Sequence, residues 1–199
     1  EELIDKFDLT KVHKAWAIFD IERLDFFNSH YIKSLKLEDL YERLLTYLEK
    51  YDLNFYKKVK TYWDKYNLKV LNELKTRINN FIEYKKYSLL FYEEAKIPEK
   101  DLVLNEKMKV KDFDIVKKSV QLALDILSAN NWDFDSIDNV KEKFVKGIVE
   151  LWLKNWQVLW PIRTILSWEQ FSPWALEMIY ILWKKESQKR LNKYLETIK

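Results

Sequence analysis

The residues with the most to offer chemically lie between Asn155 and Ser187, in the stretch NWQVLWPIRTILSWEQFSPWALEMIYILWKKES. Arg163 is a lone arginine shortly after Pro161, and Trp160 stands immediately before that proline. Beyond Pro161 the apolar Ile162, Ile165 and Leu166 fall at i, i+3 and i+4. This predicts a short helix opened by the proline, with Arg163 and Thr164 pointing away from its buried stripe. Ser172-Pro173 predicts a second helix, with Ser172 as N-cap, Pro173 in the first helical position, and Leu176, Ile179, Tyr180 and Trp183 as the apolar face. The turn from Ser167 to Phe171 and Arg163 are then expected to form a rigid polar notch. An arginine fork, an indole and the free N–H groups of a helix start are means by which proteins hold unstacked single-stranded bases. Each residue also has a plainer reading. Arg163 as a surface arginine paired with Glu169 or Glu177 is the one that residue types favour. Trp160 either stacks on a base or packs inward, and Ser172-Pro173-Trp174-Ala175 serves equally as a helix cap.

Catalytic chemistry is absent from the pattern. The single glycine, Gly147, cannot make a phosphate-cradling loop, and His13 and His30 have no metal-ligand spacing. The carboxylates are scattered along helix faces, where solvated charge is the ordinary reading. Lysine and arginine number 35 against 32 aspartates and glutamates, a net charge of +3. That balance permits a polyanionic partner only if the basic residues cluster. No cysteine means no disulfide framework and no thiolate metal site. EELIDKFDL has neither the basic start nor the apolar run of a signal peptide, and no run approaches ~18 apolar residues, so neither export nor membrane insertion is expected.

The elements that must position these residues read as helices throughout. With 48% apolar and 34% charged residues, 3 prolines and 1 glycine, the composition fits an all-α protein with a real core and almost no sheet. Asp20 is expected to cap a helix bearing Leu24, Phe27 and Tyr31 on one side. Leu37 to Leu48 is strongly amphipathic and should end over Lys50 to Asp52. Leu53 to Tyr66 reads as one helix, and the pattern from Asn67 continues to about Tyr84, placing Lys75 and Arg77 on its polar side. The polar segment Glu93 to Lys111, with Pro98, is the best linker candidate. Asp112 should cap a helix with Val116, Val120, Ala123 and Leu127 inward, and Ser136 to Leu151 should form another. Lys185 to Ile198 closes the chain. Two helical subdomains follow, residues 1–110 and 111–199.

Two stretches carry a resemblance. FDLTKVHKAWAIFDIERLDFFNSHYI, through Phe7, Asp8, Leu9, Val12, Lys14, Ala17, Phe19, Asp20, Leu24, Asn28, Tyr31 and Ile32, resembles a segment that follows the catalytic domain in bacterial glutamyl-tRNA synthetases. Lys154, Gln157, Pro161, Ile162, Arg163, Leu166 and Ser167, then Ser172, Pro173, Glu177, Leu182 and Lys184, resemble the end of that family's C-terminal anticodon-binding domain. The resemblance implies an all-α anticodon-binding fragment of a class I glutamate–tRNA ligase that recognises tRNA-Glu. It implies a catalytic domain, with ATP and Mg2+, preceding Glu1, since Lys107-Met108-Lys109 lacks the serine and setting of the family's activation loop. The chain itself is then expected to hold no cofactor and to act on RNA rather than DNA, as a cytoplasmic monomer. It implies anticodon contacts by Arg163 and by the turn Ser172, Pro173, Trp174 and Ala175, with Trp160 beside them. Arg77 aligns with the arginine that discriminates the third anticodon letter. Lys14, Lys33 and Lys36, with Lys57, Lys58 and Lys60, are read as phosphate contacts or as merely solubilising, the latter being the ordinary reading for each taken singly. The rival expectation is a helical protein-interaction module that never touches RNA, which the high aromatic content would also suit.

The departures from the family pattern are themselves regular. Average usage would give roughly 14 glycines in such a chain, whereas this one has 1 glycine and 9 tryptophans. Trp16, Trp152, Trp156, Trp168, Trp174 and Trp183 stand where the resembled pattern or its close variants have glycine; Trp63, Trp132 and Trp160 do not. A gene in which UGA specifies glycine, read as though UGA meant tryptophan, would give this pattern; a divergent lineage that fills these sites with aromatic residues is the alternative. On that expectation, helix ends at Trp168 and Trp183 require positive φ.

Overall fold

The computed structural model describes residues 2–8, 10, 20–129 and 136–198. Among them the chain is helical, with no strand and one isolated bridge, Asn105 with Val110. After α1 (Glu2–Lys6), α2 (Ile21–Ser34) begins at Asp20, whose side chain accepts from Arg23 N at 3.0 Å. Its predicted apolar side stays largely open: Leu24, Phe27 and Tyr31 are exposed, and Ser29 and Ile32 are the buried residues. The α3 helix (Leu37–Tyr51) buries Leu40, Tyr41, Leu44 and Leu48, as its spacing demands.

The next two predicted helices both break. Asp52 ends α3 and caps α4 (Leu53–Lys60) through Phe55 N. Short-range bonds from Thr61 N to Lys58 O and from Tyr62 N to Val59 O then close α4, so the expected helix to Tyr66 stops early. A fresh helix, α5 (Asp64–Leu74), starts after Trp63. The run expected to reach Tyr84 stops at Leu74, and α6 (Phe81–Tyr92) begins anew. Its start is a reciprocal cap: Asn80 accepts from Glu83 N at 3.0 Å, and the Glu83 carboxylate accepts from Asn79 N at 2.6 Å. Arg77 therefore sits in the α5–α6 connection and not on a helix face.

The segment 93–111 is not a loose linker. It contains α7 (Lys100–Val103) and a tight turn closed by the Asn105–Val110 bridge, and Val103 and Val110 are fully buried. The α8 helix (Phe113–Ser128) and α9 (Ile137–Glu150) start at Asp112 and Ser136, as the caps predict. They pack closely at Gly147, where a Cβ would come within 2.6 Å of Leu122 Cδ1. The last elements are α10 (Asn155–Ser167) and α11 (Ala175–Leu195), the latter kinked at Trp183.

Two polar devices organise the packing. Buried Asn67 donates to Tyr41 Oη (3.0 Å) and Val59 O (3.2 Å) and accepts from Tyr92 Oη (3.0 Å), which in turn lies 3.0 Å from Tyr84 Oη. Tyr41 donates onward to Asp64, and burial raises its phenol to about 12. Near the other end, buried Arg190 donates to Leu166 O at 2.7 Å and to Glu186 at 2.9 Å, and lies 4.9 Å from the ring centre of Trp168. It thereby satisfies a carbonyl that the end of α10 leaves unpaired.

Candidate nucleic-acid interface

Helix α10 is longer than its sequence pattern suggests. It begins at Lys154, whose backbone N–H donates to the Gln157 side chain at 3.0 Å, so Pro161 lies inside the helix instead of opening it. Thr164 is fully buried, its hydroxyl donating to Trp160 O (3.0 Å) and Pro161 O (3.1 Å). The expectation that Arg163 and Thr164 point away from the protein is thus corrected: α10 is covered on both sides, by the core and by the 167–174 turn.

Arg163 is only 8% exposed. Its Nη1 donates to Gln170 O and to Ser172 Oγ, both at 3.0 Å, and neither Glu169 nor Glu177 pairs with it. Its guanidinium carbon lies 4.5 Å from the ring centre of Trp160. Burial lowers its pKa from the ordinary value, but a guanidinium stays protonated. Arg163 therefore braces the turn from behind while presenting positive charge beside the opening. Trp160 packs inward: its indole N–H donates to Leu102 O at 3.1 Å, and one ring face meets Arg163.

The predicted cap at Ser172 is also displaced. The Ser172 hydroxyl accepts from Arg163 and donates to Pro173 O at 3.2 Å, and the N-cap of α11 is Trp174, with no side-chain cap. Pro173 is buried, Ala175 is 2% exposed and Trp174 is 68% exposed. The free N–H groups of the first turn of α11 consequently begin beside the exposed Trp174 indole.

A cleft of about 640 Å³ opens here, and the buried Ala175 does not line it. Arg77, Trp160, Arg163, Ser172, Pro173 and Trp174 all border it, so residues 77 and 160–174, remote in sequence, meet there. Arg77 donates from Nη2 to Glu73 at 2.9 Å, leaving other guanidinium donors available. Glu177, one turn into α11, has its carboxyl pKa raised, first by burial and then by the Glu73 charge, and its Oε2 has no hydrogen-bond partner. Lys33 and Lys36 are exposed but do not border the cleft, and Lys14 lies outside the described residues. Sequence reasoning missed the rest of the wall, notably Tyr87, Leu90 and Met108, whereas Phe171 belongs to the turn expected to form the notch. The Asn79-Asn80-Glu83 cap was the signal that would have separated α5 from α6 and turned Tyr87 toward Arg77. Phe171, Trp156 and Trp174 form an exposed aromatic rim (79%, 46% and 68%).

A rim of rings around two guanidinium groups suits flat, unstacked bases. The family model described as an anticodon binding domain matches residues 39–195. The chain belongs to the anticodon-binding domain family. Membership of that family is favoured over the protein-interaction alternative. The glutamate–tRNA ligase of Clostridium tetani is 36% identical over 202 residues, covering 100% of this chain and 38% of the relative. That of Clostridium novyi is 35% identical over 201 residues, with 100% and 39% covered. In three dimensions the chain is similar to a glutamate tRNA ligase from Elizabethkingia meningosepticum solved in complex with its amino acid. The TM-score is 0.78 at 24% identity, covering 100% of this chain and 36% of that one. The anticodon-binding domain thus spans less than two-fifths of the curated relatives it matches, and its all-α fold agrees with that structure. Among the described residues no helix is long and apolar enough to cross a membrane.

Proposed function

We propose that this domain reads the anticodon of tRNA-Glu for a glutamate–tRNA ligase, in which a catalytic part using ATP and Mg2+ joins glutamate to the tRNA. The observation that carries this reading is the cleft, where Arg77 and Arg163 converge with Trp160, Trp174 and the start of α11. The domain acts as a cytoplasmic monomer, holds no cofactor of its own, and reads RNA in two helical parts, residues 1–110 and 111–199. Arg77 supplies the discrimination at the third anticodon letter. Cytosine offers two acceptors on its pairing edge, which a guanidinium fork matches, whereas guanine places two donors there. Ser172, Pro173, Trp174 and Ala175 meet the first letter with backbone groups, and Lys14, Lys33 and Lys36 contact phosphates. The test is titration of the domain with tRNA-Glu transcripts carrying C or G at the third anticodon position. The C form should bind more tightly, and Arg77→Gln should bring the two affinities together. Equal affinities for the unaltered domain would overturn the reading.

A further inference from the structure

Among the described residues four non-glycine positions have positive φ, and three of them are tryptophans: Trp152 (57°), Trp168 (49°) and Trp183 (61°). Bulky residues rarely enter this region, because Cβ crowds the following carbonyl. Each site is one where the backbone favours glycine for a reason of its own. Trp152 follows the end of α9, its N–H returning to Val149 O at 3.1 Å, and its side chain is 95% exposed, so the indole gains no packing to offset the strain. Trp168 is the left-handed C-cap of α10 (φ 49°, ψ 16°), its N–H donating to Thr164 O at 2.8 Å. Trp183, at φ 61° and ψ 174°, lies in a region that is essentially restricted to glycine. The remaining described tryptophans show no such demand: Trp63 and Trp174 have φ of −69° and −64°, and Trp156 and Trp160 lie within α10.

A chain with 1 glycine and 9 tryptophans places three of its tryptophans at positive φ. Glycine is the smallest residue and tryptophan the largest, so independent drift at three backbone-restricted positions is a poor explanation. One codon, UGA, differs in meaning between genetic codes and connects the two residues directly. We infer that positions 152, 168 and 183 are encoded by UGA and that the cell making this protein reads UGA as glycine, through a glycine-charged tRNA whose anticodon pairs with UGA. Trp63 and Trp160, at ordinary φ, are encoded by UGG.

Three measurements test this. The gene should carry UGA at codons 152, 168 and 183 and UGG at 63 and 160; UGG at any of the first three overturns the inference. Peptides of the protein isolated from its own cells should carry glycine at the three positions, and tryptophan there overturns it even if the codons are UGA. In the tryptophan-bearing protein, Trp152→Gly should raise the folded-to-unfolded ratio roughly fivefold, read from urea midpoints, whereas Trp63→Gly should not. A Trp152→Gly protein no more stable than its parent would remove the strain on which the inference rests.

Discussion

Arg163 changes meaning between sequence and structure. Its position in the pattern makes it a surface cation, yet its guanidinium is buried and holds Gln170 and Ser172 in place. Arg163→Met should therefore do two things at once. It should lower tRNA affinity by at least tenfold, and it should loosen the 168–174 turn, seen as faster amide exchange there with the rest of the domain unchanged. Glu177 makes a second residue-scale prediction. Its folded carboxyl titrates above its ordinary 4.5, so the folded state binds the proton more tightly than the unfolded state. Its contribution to stability is fully present below 4.5 and is lost as pH rises through the raised value. Glu177→Gln should flatten the stability profile across that window and be more stable than the parent at pH 7, which urea unfolding at a series of pH values measures.

At the scale of elements, the reading from sequence succeeded where the amphipathic face was strong, as for α3, or agreed with a side-chain cap, as for α8 and α9. It failed where an apolar period ran on through a break. Periodicity at 3.6 residues cannot register that Thr61 and Tyr62 turn back on α4, or that Asn80 and Glu83 start a new helix. The cleft was legible in part for the same reason. Trp160, Arg163 and the turn near Ser172 were flagged by local chemistry, while Tyr87 and Met108 come from elements whose boundaries or packing were misread. The Asn67 network ties α3, α5 and α6 together, and Tyr41, Asn67, Tyr84 and Tyr92 are all buried. Asn67→Leu removes the donor to Tyr41 Oη and Val59 O and the acceptor of the Tyr92 hydroxyl, and should cost about 2–4 kcal/mol. Chemical denaturation would register this as a lower midpoint at unchanged slope.

Over the whole molecule the charge is small, +3, so binding to RNA must draw on local clusters and not on a general positive field. Salt dependence can locate them. If Lys33 and Lys36 neutralise phosphates, Lys33→Gln together with Lys36→Gln should weaken tRNA binding regardless of anticodon sequence. It should also reduce the slope of log K against log salt by about 1.4. Arg77→Gln should instead alter the preference for the third letter with a much smaller change in slope. Two variants with opposite signatures would separate positioning from reading.

Arg190 also bears on the order in which the domain is assembled. The carbonyl it receives from α10 lies 24 positions earlier in the chain, and its weaker partner, Glu93 O, lies 97 positions earlier. A ribosome adding roughly 5–20 residues per second delivers Arg190 ~1–5 s after Leu166. Until then the end of α10 lacks its buried cation, although α10 already packs on α8 and Trp160 already reaches Leu102 O. The end of α10 and the turn beside the cleft are thus among the last parts of the domain to be fixed during synthesis, and a nascent chain halted before Arg190 would carry every residue that lines the cleft without that cation beneath it.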